Sequence, residues 1–169
     1  SFKNYYSKDP QFKKRVDESG LTLSEASIVY AYTNLGYQDM NMRLNGLRDY
    51  DKTKVDLLNS FESYLNKILP KIKTRYSGEV VRTISFGDLE AIKKAHKKVG
   101  GVIEYKAFTS TATSRANGYV NIKMKVKDEA EISGLSHYMA EKEVLLGSGR
   151  KFKILKYEER DGETFIELE

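Results

Sequence analysis

Residues 119–126 read Tyr-Val-Asn-Ile-Lys-Met-Lys-Val, and this stretch is the clearest indication of the fold class. Apolar and polar side chains alternate along it with a period of two, as in a β-strand that buries one face only. Half-buried strands of this kind are typical of antiparallel sheets, because parallel sheets are covered on both faces. The stretch therefore predicts an antiparallel strand in the second half of the chain.

Further strand-like segments lie on both sides of this stretch. The β-branched run Glu79–Ile84 is predicted to form a strand, and we interpret Gly78 as the residue that interrupts regular structure just before it. Tyr105–Thr113 is predicted to form one strand. A helix is expected over Phe86–Lys98, with His96 on its lysine-rich, solvent-facing surface. Three more strands complete the β-rich region: Glu143–Leu146, Lys151–Tyr157 and Glu163–Leu168.

The chain up to about residue 73 carries helical patterns instead. Thr22 or Ser24 can cap a helix that ends near Gly36, and a shorter helix follows over Tyr37–Leu44. A third helix begins near residues 51–53, with an apolar stripe formed by Val55, Leu58, Phe61, Leu65 and Ile68. Helices followed by strands predict an α+β fold, in which N-terminal helices pack on a mainly antiparallel, two-sheet β core. We expect one domain over residues 1–169, helical to about residue 75 and β-rich from about residue 76.

Composition narrows the possible functions. The chain has no Cys, which excludes disulfides, thiolate metal sites and a cysteine nucleophile, and its two His leave little for a Ser-His-Asp triad. No uncharged apolar run approaches the roughly 20 residues that cross a bilayer, so we expect no membrane span. The net charge is +5, but no groove-reading motif accompanies the lysines, so we expect no nucleic-acid partner.

Three short segments on or beside the predicted strands can carry chemistry. Arg82 is a charged residue within an otherwise apolar strand, and its guanidinium is suited to bidentate contact with phosphate or carboxylate. The alternative is an edge strand on which Arg82 faces water. Residues 108–114, Phe-Thr-Ser-Thr-Ala-Thr-Ser, form a hydroxyl-rich strand end that can hold a carboxylate or face solvent. Glu141 and Glu143 would share one face of a strand, which suits a catalytic pair, although an exposed strand start is the alternative.

The order of these segments resembles the Arg/Ser-Thr-Ser/Glu-x-Glu series of toxin-type mono-ADP-ribosyltransferases, in the exoenzyme branch related to actin-modifying binary toxins. Residues 41–46, which follow Tyr37, are similar to that branch's N-terminal helical segment, and residues 143–155 are similar to its C-terminal strands. The resemblance covers about residues 21–155. It implies transfer of ADP-ribose from NAD⁺ to an arginine side chain of a target protein, with nicotinamide released and no metal required.

The resemblance also implies which residues bind NAD⁺. Arg82, with Thr83 beside it, matches the arginine that binds a phosphate of the dinucleotide. Ser110 and Thr111 match the first two residues of the Ser-Thr-Ser motif, whose serine steadies the catalytic glutamate and the nicotinamide ribose. Arg115 and Tyr119 are the two alternative candidates for covering the nicotinamide.

The catalytic and acceptor roles follow in the same way. Glu143 matches the glutamate that stabilises the oxocarbenium ion, and Glu141 matches the acidic residue linked to arginine as acceptor. His137 and Tyr138 lie in the segment that corresponds to the acceptor-recognition loop. Physical chemistry supports the carboxylates independently, because cleavage of the nicotinamide–ribose bond develops positive charge on the sugar.

One position departs from the family pattern, and other functions stay open. Ala112 stands where the motif has its third serine. The alternatives are a catalytically inactive binding module of the same fold, an NAD⁺ glycohydrolase that uses water as acceptor, and a basic nucleic-acid-binding domain. The resemblance implies a monomeric catalytic domain of a toxin or effector, secreted or injected into a host cell to modify actin, a small GTPase or another protein in the host cytosol. A phage enzyme acting in bacterial cytoplasm is the alternative setting.

Overall fold

Helices come first and strands second, as the sequence predicts. The computed structural model describes residues 1–114, 117–136 and 142–169, with the backbone alone for residues 35–37. The helices described are α1 (Phe2–Lys8), α2 (Pro10–Glu18), α3 (Leu23–Ala31), α4 (Tyr37–Leu44), α5 (Lys52–Ile68) and α6 (Leu89–His96). The strands are β1 (Arg75–Ile84), β2 (Val102–Tyr105), β3 (Thr109–Ala112), β4 (Val120–Glu131), β5 (Glu143–Leu146), β6 (Arg150–Arg160) and β7 (Glu163–Leu168).

Side-chain caps fix where the helices begin. Thr22 and Glu25 form a capping box at α3, with reciprocal hydrogen bonds of 3.2 and 3.0 Å between side chain and backbone. Asp51 caps α5 and Asp88 caps α6 through a carboxylate that accepts a hydrogen bond from the backbone N–H of Lys54 and of Ala91 respectively. The predicted start of α6 at Phe86 is wrong by three residues, because Gly87 has a φ of +99°, which a helix does not allow.

The predicted stop at Gly36 is also wrong. Residues 32–36 form a single π-helical turn that links α3 directly to α4. A π-turn takes in one more residue than an α-turn, so the helical path bends without ending. Thr33 Oγ1 donates a hydrogen bond to the Tyr30 carbonyl at 2.8 Å within this turn.

The strands form one sheet that folds back on itself. Pairing follows the order β1-β3-β5-β4-β7-β6-β2, and β1 also pairs along most of its length with β4. The strands β1, β3, β5 and β4 therefore close a ring of pairings, while the contact between β4 and β7 is the parallel one. This folded sheet corresponds to the predicted, mainly antiparallel two-sheet core.

Two sequence-based strand boundaries need correction. The segment predicted as one strand, Tyr105–Thr113, contains the end of β2 and all of β3, which pair with β6 and with β1 and β5 respectively. Between them Phe108 turns into the core with 3% of its surface exposed. Gly78 was predicted to interrupt regular structure before the strand, but it lies inside β1 at a bulge, with a φ of +138°.

Two apolar cores result, one on each side of β5. The helical core packs α1–α5 against Phe108, Ala130 and Leu145. The sheet core fills the space within the folded sheet and includes Val144 and its neighbours from β1, β4, β6 and β7, with α6 and β2 packed against it. No helix among the described residues is long and apolar enough to span a bilayer.

Candidate active site

A serine and a glutamate from adjacent strands meet where β3 pairs with β5. Ser110 Oγ donates a hydrogen bond of 2.7 Å to Glu143 Oε2, and both residues are half-buried. Glu143 is the first residue of β5, and Ser110 is paired with Leu145 two residues further on, so the contact runs diagonally across the two strands. The hydrogen bond is charge-assisted and holds the carboxylate in one orientation.

The next residue of the motif faces the other way. The Thr111 side chain is fully buried, and its Oγ1 donates a hydrogen bond of 2.7 Å to the backbone carbonyl of Val144. Because side chains alternate along a strand, Thr111 joins β3 to β5 from within the sheet core instead of lining the surface that Ser110 lines. The Thr111 hydroxyl, which was expected to contact NAD⁺, therefore donates its hydrogen bond to the protein backbone.

Ala112 connects the arginine strand to the glutamate strand. It is fully buried and is paired with Val81 of β1 on one side and with Glu143 of β5 on the other. The pair Val81–Ala112 is the pairing described between β1 and β3, which run antiparallel, so the part of β1 beyond Val81 runs alongside the part of β3 before Ala112 without a described pairing. The two strands therefore separate on that side, which leaves a gap in the sheet between residues 82–84 of β1 and residues 109–111 of β3, beside Ser110.

Arg82 lies on β1 at this gap, but on the sheet-core face. It is paired with Ile122, and by strand alternation it shares its face with Val80, whereas Val81 shares the face of Glu143. Ile122 and Val80 are buried in the sheet core, and Arg82 is half-buried. The structure thus brings Arg82 to the strand next to the Ser110–Glu143 pair, with its side chain starting from the opposite face.

A tight loop covers the end of β1 next to Arg82. Thr83 is half-buried and is paired with Asn121, whose side chain hydrogen-bonds the backbone N–H and carbonyl of Gly118 at 2.8 and 2.9 Å. A Cβ atom on Gly118 would lie 2.5 Å from Thr83 Cγ2, so only glycine fits at this distance. Tyr119, the other expected contact, lies immediately before β4 and is 57% exposed. The roles of Gly118 and Asn121 were not predicted from the sequence.

His96 is buried, which corrects its expected surface position. Only 4% of its surface is exposed, and its ring nitrogens lie 2.6 Å from the Ile92 carbonyl and 2.7 Å from Tyr105 Oη. Burial lowers the pKa of His96, a hydrogen bond to the Ile92 carbonyl opposes that shift, and the positive charge of Arg82 adds to it. The lysines around His96 in sequence lie on the outer side of an amphipathic helix, and they concealed its inward position.

Three predicted site residues, Glu141, His137 and Tyr138, lie outside the described residues, as does Arg115, the alternative to Tyr119. The described part of the segment still limits the prediction that Glu141 and Glu143 share a strand face. β5 begins at Glu143, and Lys142 before it has a φ of +26°, so strand alternation does not extend to residue 142. At the other end of this segment, Arg15 Nε donates a hydrogen bond of 3.2 Å to the Gly134 carbonyl, a contact that the sequence did not indicate.

No group of three or more His, Cys, Asp or Glu side chains that could hold a metal ion occurs within residues 1–114, 117–136 and 142–169. Glu143 contributes a carboxylate to the candidate site, and the Ser110 hydroxyl donates a hydrogen bond to it. The described geometry is therefore that of an oriented carboxylate beside a gap in the sheet, with a guanidinium on the neighbouring strand.

Comparison with known proteins identifies the family. The sequence profile of the ADP-ribosyltransferase exoenzyme family matches residues 7–169, which is nearly the whole chain. The chain belongs to this family. The resemblance stated from the three motifs is thereby confirmed.

Curated relatives of this exoenzyme-family chain carry related names. A Mycobacterium avium (strain 104) protein named as an NAD(+)–arginine ADP-ribosyltransferase, Mav, is 31% identical over 148 residues, covering 81% of this chain. The NAD(+)–protein-arginine ADP-ribosyltransferase Tre1 of Serratia proteamaculans (strain 568) is 28% identical over 148 residues, covering 86% of this chain. The match spans only 17% of the first relative and 32% of the second.

Solved structures confirm the fold of this ADP-ribosyltransferase exoenzyme domain. HopU1, an ADP-ribosyltransferase of Pseudomonas syringae pv. Tomato DC3000, has a TM-score of 0.78 at 21% identity, covering 98% of this chain and 84% of that one. The ADP-ribosyltransferase Vis of Vibrio splendidus, solved with agmatine, has a TM-score of 0.68 at 23% identity, covering 95% of this chain and 84% of that one. At these identities the likeness concerns the fold alone.

Proposed function

We propose that this chain is a mono-ADP-ribosyltransferase domain that transfers ADP-ribose from NAD⁺ to an arginine side chain of a target protein and releases nicotinamide. The observation that carries the proposal is the 2.7 Å hydrogen bond from Ser110 Oγ to Glu143 Oε2 in a chain of the ADP-ribosyltransferase exoenzyme family. Further support comes from the two curated relatives, both named as arginine ADP-ribosyltransferases.

Glu143 is the proposed catalytic carboxylate. The bond between the nicotinamide nitrogen and C1′ of the ribose breaks, its electron pair leaves with nicotinamide, and C1′ acquires positive charge. An oriented carboxylate stabilises this charge more than it stabilises the neutral sugar, and it therefore lowers the barrier. Ser110 contributes by fixing the carboxylate, because a freely rotating one would have to be ordered during the reaction.

Arg82 is the proposed phosphate ligand. NAD⁺ carries two phosphates, and a guanidinium is suited to bidentate contact with phosphate oxygens. The gap between residues 82–84 of β1 and residues 109–111 of β3 lies between Arg82 and Ser110, the hydrogen-bond partner of Glu143, so we propose that the dinucleotide bridges it. Thr83 and the loop at Gly118 and Tyr119 would then border the nucleotide.

A guanidinium nitrogen of the acceptor arginine then attacks C1′ and loses a proton after the new bond forms. Glu141 is the proposed residue that orients this guanidinium and takes up the proton, and His137 and Tyr138 are proposed to contact the target protein. We propose that residues 1–169 form one catalytic domain of a toxin or effector that acts on a protein of another cell, with actin and small GTPases as candidate targets. Its target bears the acceptor arginine.

The experiment follows labelled ADP-ribose from NAD⁺ to agmatine, a small guanidinium compound, and to a host-cell lysate. Wild type is compared with Glu143→Gln and Glu141→Gln, two matched variants that each replace a carboxylate with an amide of the same shape. We expect wild type to label agmatine and a discrete lysate protein. Glu143→Gln should lose transfer and nicotinamide release together, whereas Glu141→Gln should lose transfer and keep nicotinamide release.

Two results would overturn the proposal in different ways. Nicotinamide release without any labelled guanidinium would identify water as the acceptor, and the domain would be an NAD⁺ glycohydrolase. No nicotinamide release and no transfer by a folded wild-type protein would show an inactive member of the family. Folding of each variant is checked by its thermal unfolding midpoint, so that loss of activity is not confused with loss of structure.

A further inference from the structure

The loop that joins β4 to β5 begins and ends beside the proposed catalytic glutamate. The pairing of Glu131 with Val144 is extended by a hydrogen bond of 2.8 Å from the Ile132 N–H to the Glu143 carbonyl. The chain therefore leaves the sheet after Ile132 and returns to it at Glu143. Because the rigid elements at the base of a loop place its side chains, the stem of this loop, residues 131–136, governs what is presented next to Glu143.

One side of the stem is held by its own hydrogen bonds and by the helical core. Ser133–Leu135 form a single 3-10 turn, and the Glu131 carboxylate accepts hydrogen bonds from the Ser133 N–H, at 3.1 Å, and from the Ser133 hydroxyl. Leu135 packs in the helical core and Ser136 is buried. The stem thus has a defined course up to Ser136.

Arg15 attaches the stem to α2. Its Nε donates a hydrogen bond of 3.2 Å to the Gly134 carbonyl. The aliphatic part of Arg15 packs on Gly134, where a Cβ atom would lie 3.4 Å from Arg15 Cδ. The guanidinium lies 5.7 Å from the ring centroid of Phe12, which is fully buried. These contacts restrict the Arg15 side chain, so its Nε–H is already oriented towards the stem.

The stem faces a cavity on the side of this hydrogen bond. The cavity has a volume of about 230 Å³ and a mainly polar lining, which includes Glu18, Ser19, Thr74 and Ser133. Close packing restrains the side of the stem that carries Leu135, whereas on the cavity side the Arg15 hydrogen bond bridges from α2 to the backbone. Loss of this hydrogen bond would leave space into which the stem can shift.

We propose that Arg15 is a positioning residue that directs the β4–β5 loop towards protein acceptors and so contributes to the choice of acceptor. The inference rests on the function proposed above, in which residues that follow the stem contact the target protein. Arg15 bonds the stem, whereas the Glu143 carboxylate is oriented from β3 by Ser110. Removal of the Arg15 contact should therefore weaken transfer to a protein and leave the cleavage of NAD⁺ intact.

The experiment compares two variants with side chains of similar length. Arg15→Gln keeps an N–H donor bonded to Cδ, as Nε is in arginine, whereas Arg15→Met has no donor. Both variants lack the positive charge, so the difference between them reports the hydrogen bond. Initial rates of labelling are measured, at limiting acceptor, for agmatine and for the lysate protein that wild type modifies, together with the rate of nicotinamide release.

The ratio of the lysate-protein rate to the agmatine rate is the quantity that tests the inference. It should fall about 3- to 10-fold in Arg15→Met, the effect of one net hydrogen bond, and stay within twofold of wild type in Arg15→Gln. Nicotinamide release should stay within twofold of wild type in both. The matched control is Arg160→Met, which deletes a guanidinium stacked 4.3 Å from the ring centroid of Phe165, and it should leave the ratio within 1.5-fold of wild type.

Three results would count against these proposals in different ways. An unchanged ratio in Arg15→Met would overturn this inference alone, as would an equal fall in Arg15→Gln, because the lost charge would then account for the effect. A parallel fall of nicotinamide release and of both transfers, with a lower thermal unfolding midpoint, would assign Arg15 a general structural role and overturn its positioning role. A wild type that labels no lysate protein would overturn the proposed function first.

Discussion

Removal of the Ser110 hydroxyl tests whether the orientation of Glu143 matters for catalysis. The hydroxyl donates to the Glu143 carboxylate at 2.7 Å, and a hydrogen bond to a charged group contributes about 1.5–3 kcal/mol. Since about 1.4 kcal/mol corresponds to a tenfold change in rate, Ser110→Ala should lower kcat for nicotinamide release by about 10- to 150-fold. The loss should appear in kcat, because the carboxylate acts most strongly on the charge that develops in the transition state.

The assay measures initial rates of nicotinamide release and of transfer to agmatine at several NAD⁺ concentrations. Ser148→Ala is the matched control: its Oγ accepts a hydrogen bond of 2.7 Å from Asn66 Nδ2, in the turn that follows β5. This control deletes the same chemical group near the same strand and should leave kcat within twofold of wild type. Both variants should remain folded, since neither side chain fills an apolar core.

One outcome would contradict a catalytic role for the orientation of Glu143. If Ser110→Ala retained kcat within twofold while Glu143→Gln lost activity, the orientation of the carboxylate would be set by other contacts. The 2.7 Å hydrogen bond would then be present in the free protein without stabilising the transition state.

Three further predictions concern the loop beside β1, the strand junction and the buried histidine. Gly118→Ala should raise KM for NAD⁺ roughly fivefold, because its Cβ would lie 2.5 Å from Thr83 Cγ2 and displace the loop; an unchanged KM in initial-rate assays would contradict this. Thr111→Val should lower the free energy of unfolding by about 1–2 kcal/mol through loss of the hydrogen bond to the Val144 carbonyl, and urea titration with no shift in midpoint would disprove it. Burial lowers the folded-state pKa of His96 below its ordinary 6.5, so the unfolded chain takes up the proton first as the pH falls. The free energy of unfolding should therefore decrease from pH 6.5 towards the folded-state pKa, by at most about 1.4 kcal/mol per pH unit, and His96→Gln should remove this part of the slope.

Local rules account for the parts of the fold that the sequence predicted. The capping box at Thr22, the helix start at Asp51 and the alternation over residues 119–126 depend on neighbours within a few residues. The order of Arg82, Ser110 and Glu143 along the chain was sufficient to suggest the family, because these short motifs keep their sequence order.

Boundaries that depend on partners were predicted less well. The break between β2 and β3 exists because the two strands pair with different neighbours, and neither neighbour is adjacent in sequence. Likewise, the π-turn after α3 keeps the helical path running past the glycine at which a stop was expected, because helix continuation depends on how the turn is accommodated as well as on the local residue.

The sequence contained the chemical groups, and long-range packing determined which way they face. Ser110 and Thr111 are equivalent hydroxyls in a linear motif, yet the pleat of β3 turns one to Glu143 and the other into the core. His96 was predicted to be exposed because lysines surround it in the sequence. The packing of α6 on the sheet instead buries it against Tyr105. The side-chain pattern of a strand or helix follows from its own sequence, but the face that becomes buried is chosen by elements far away in the chain, and only their contact supplies that choice.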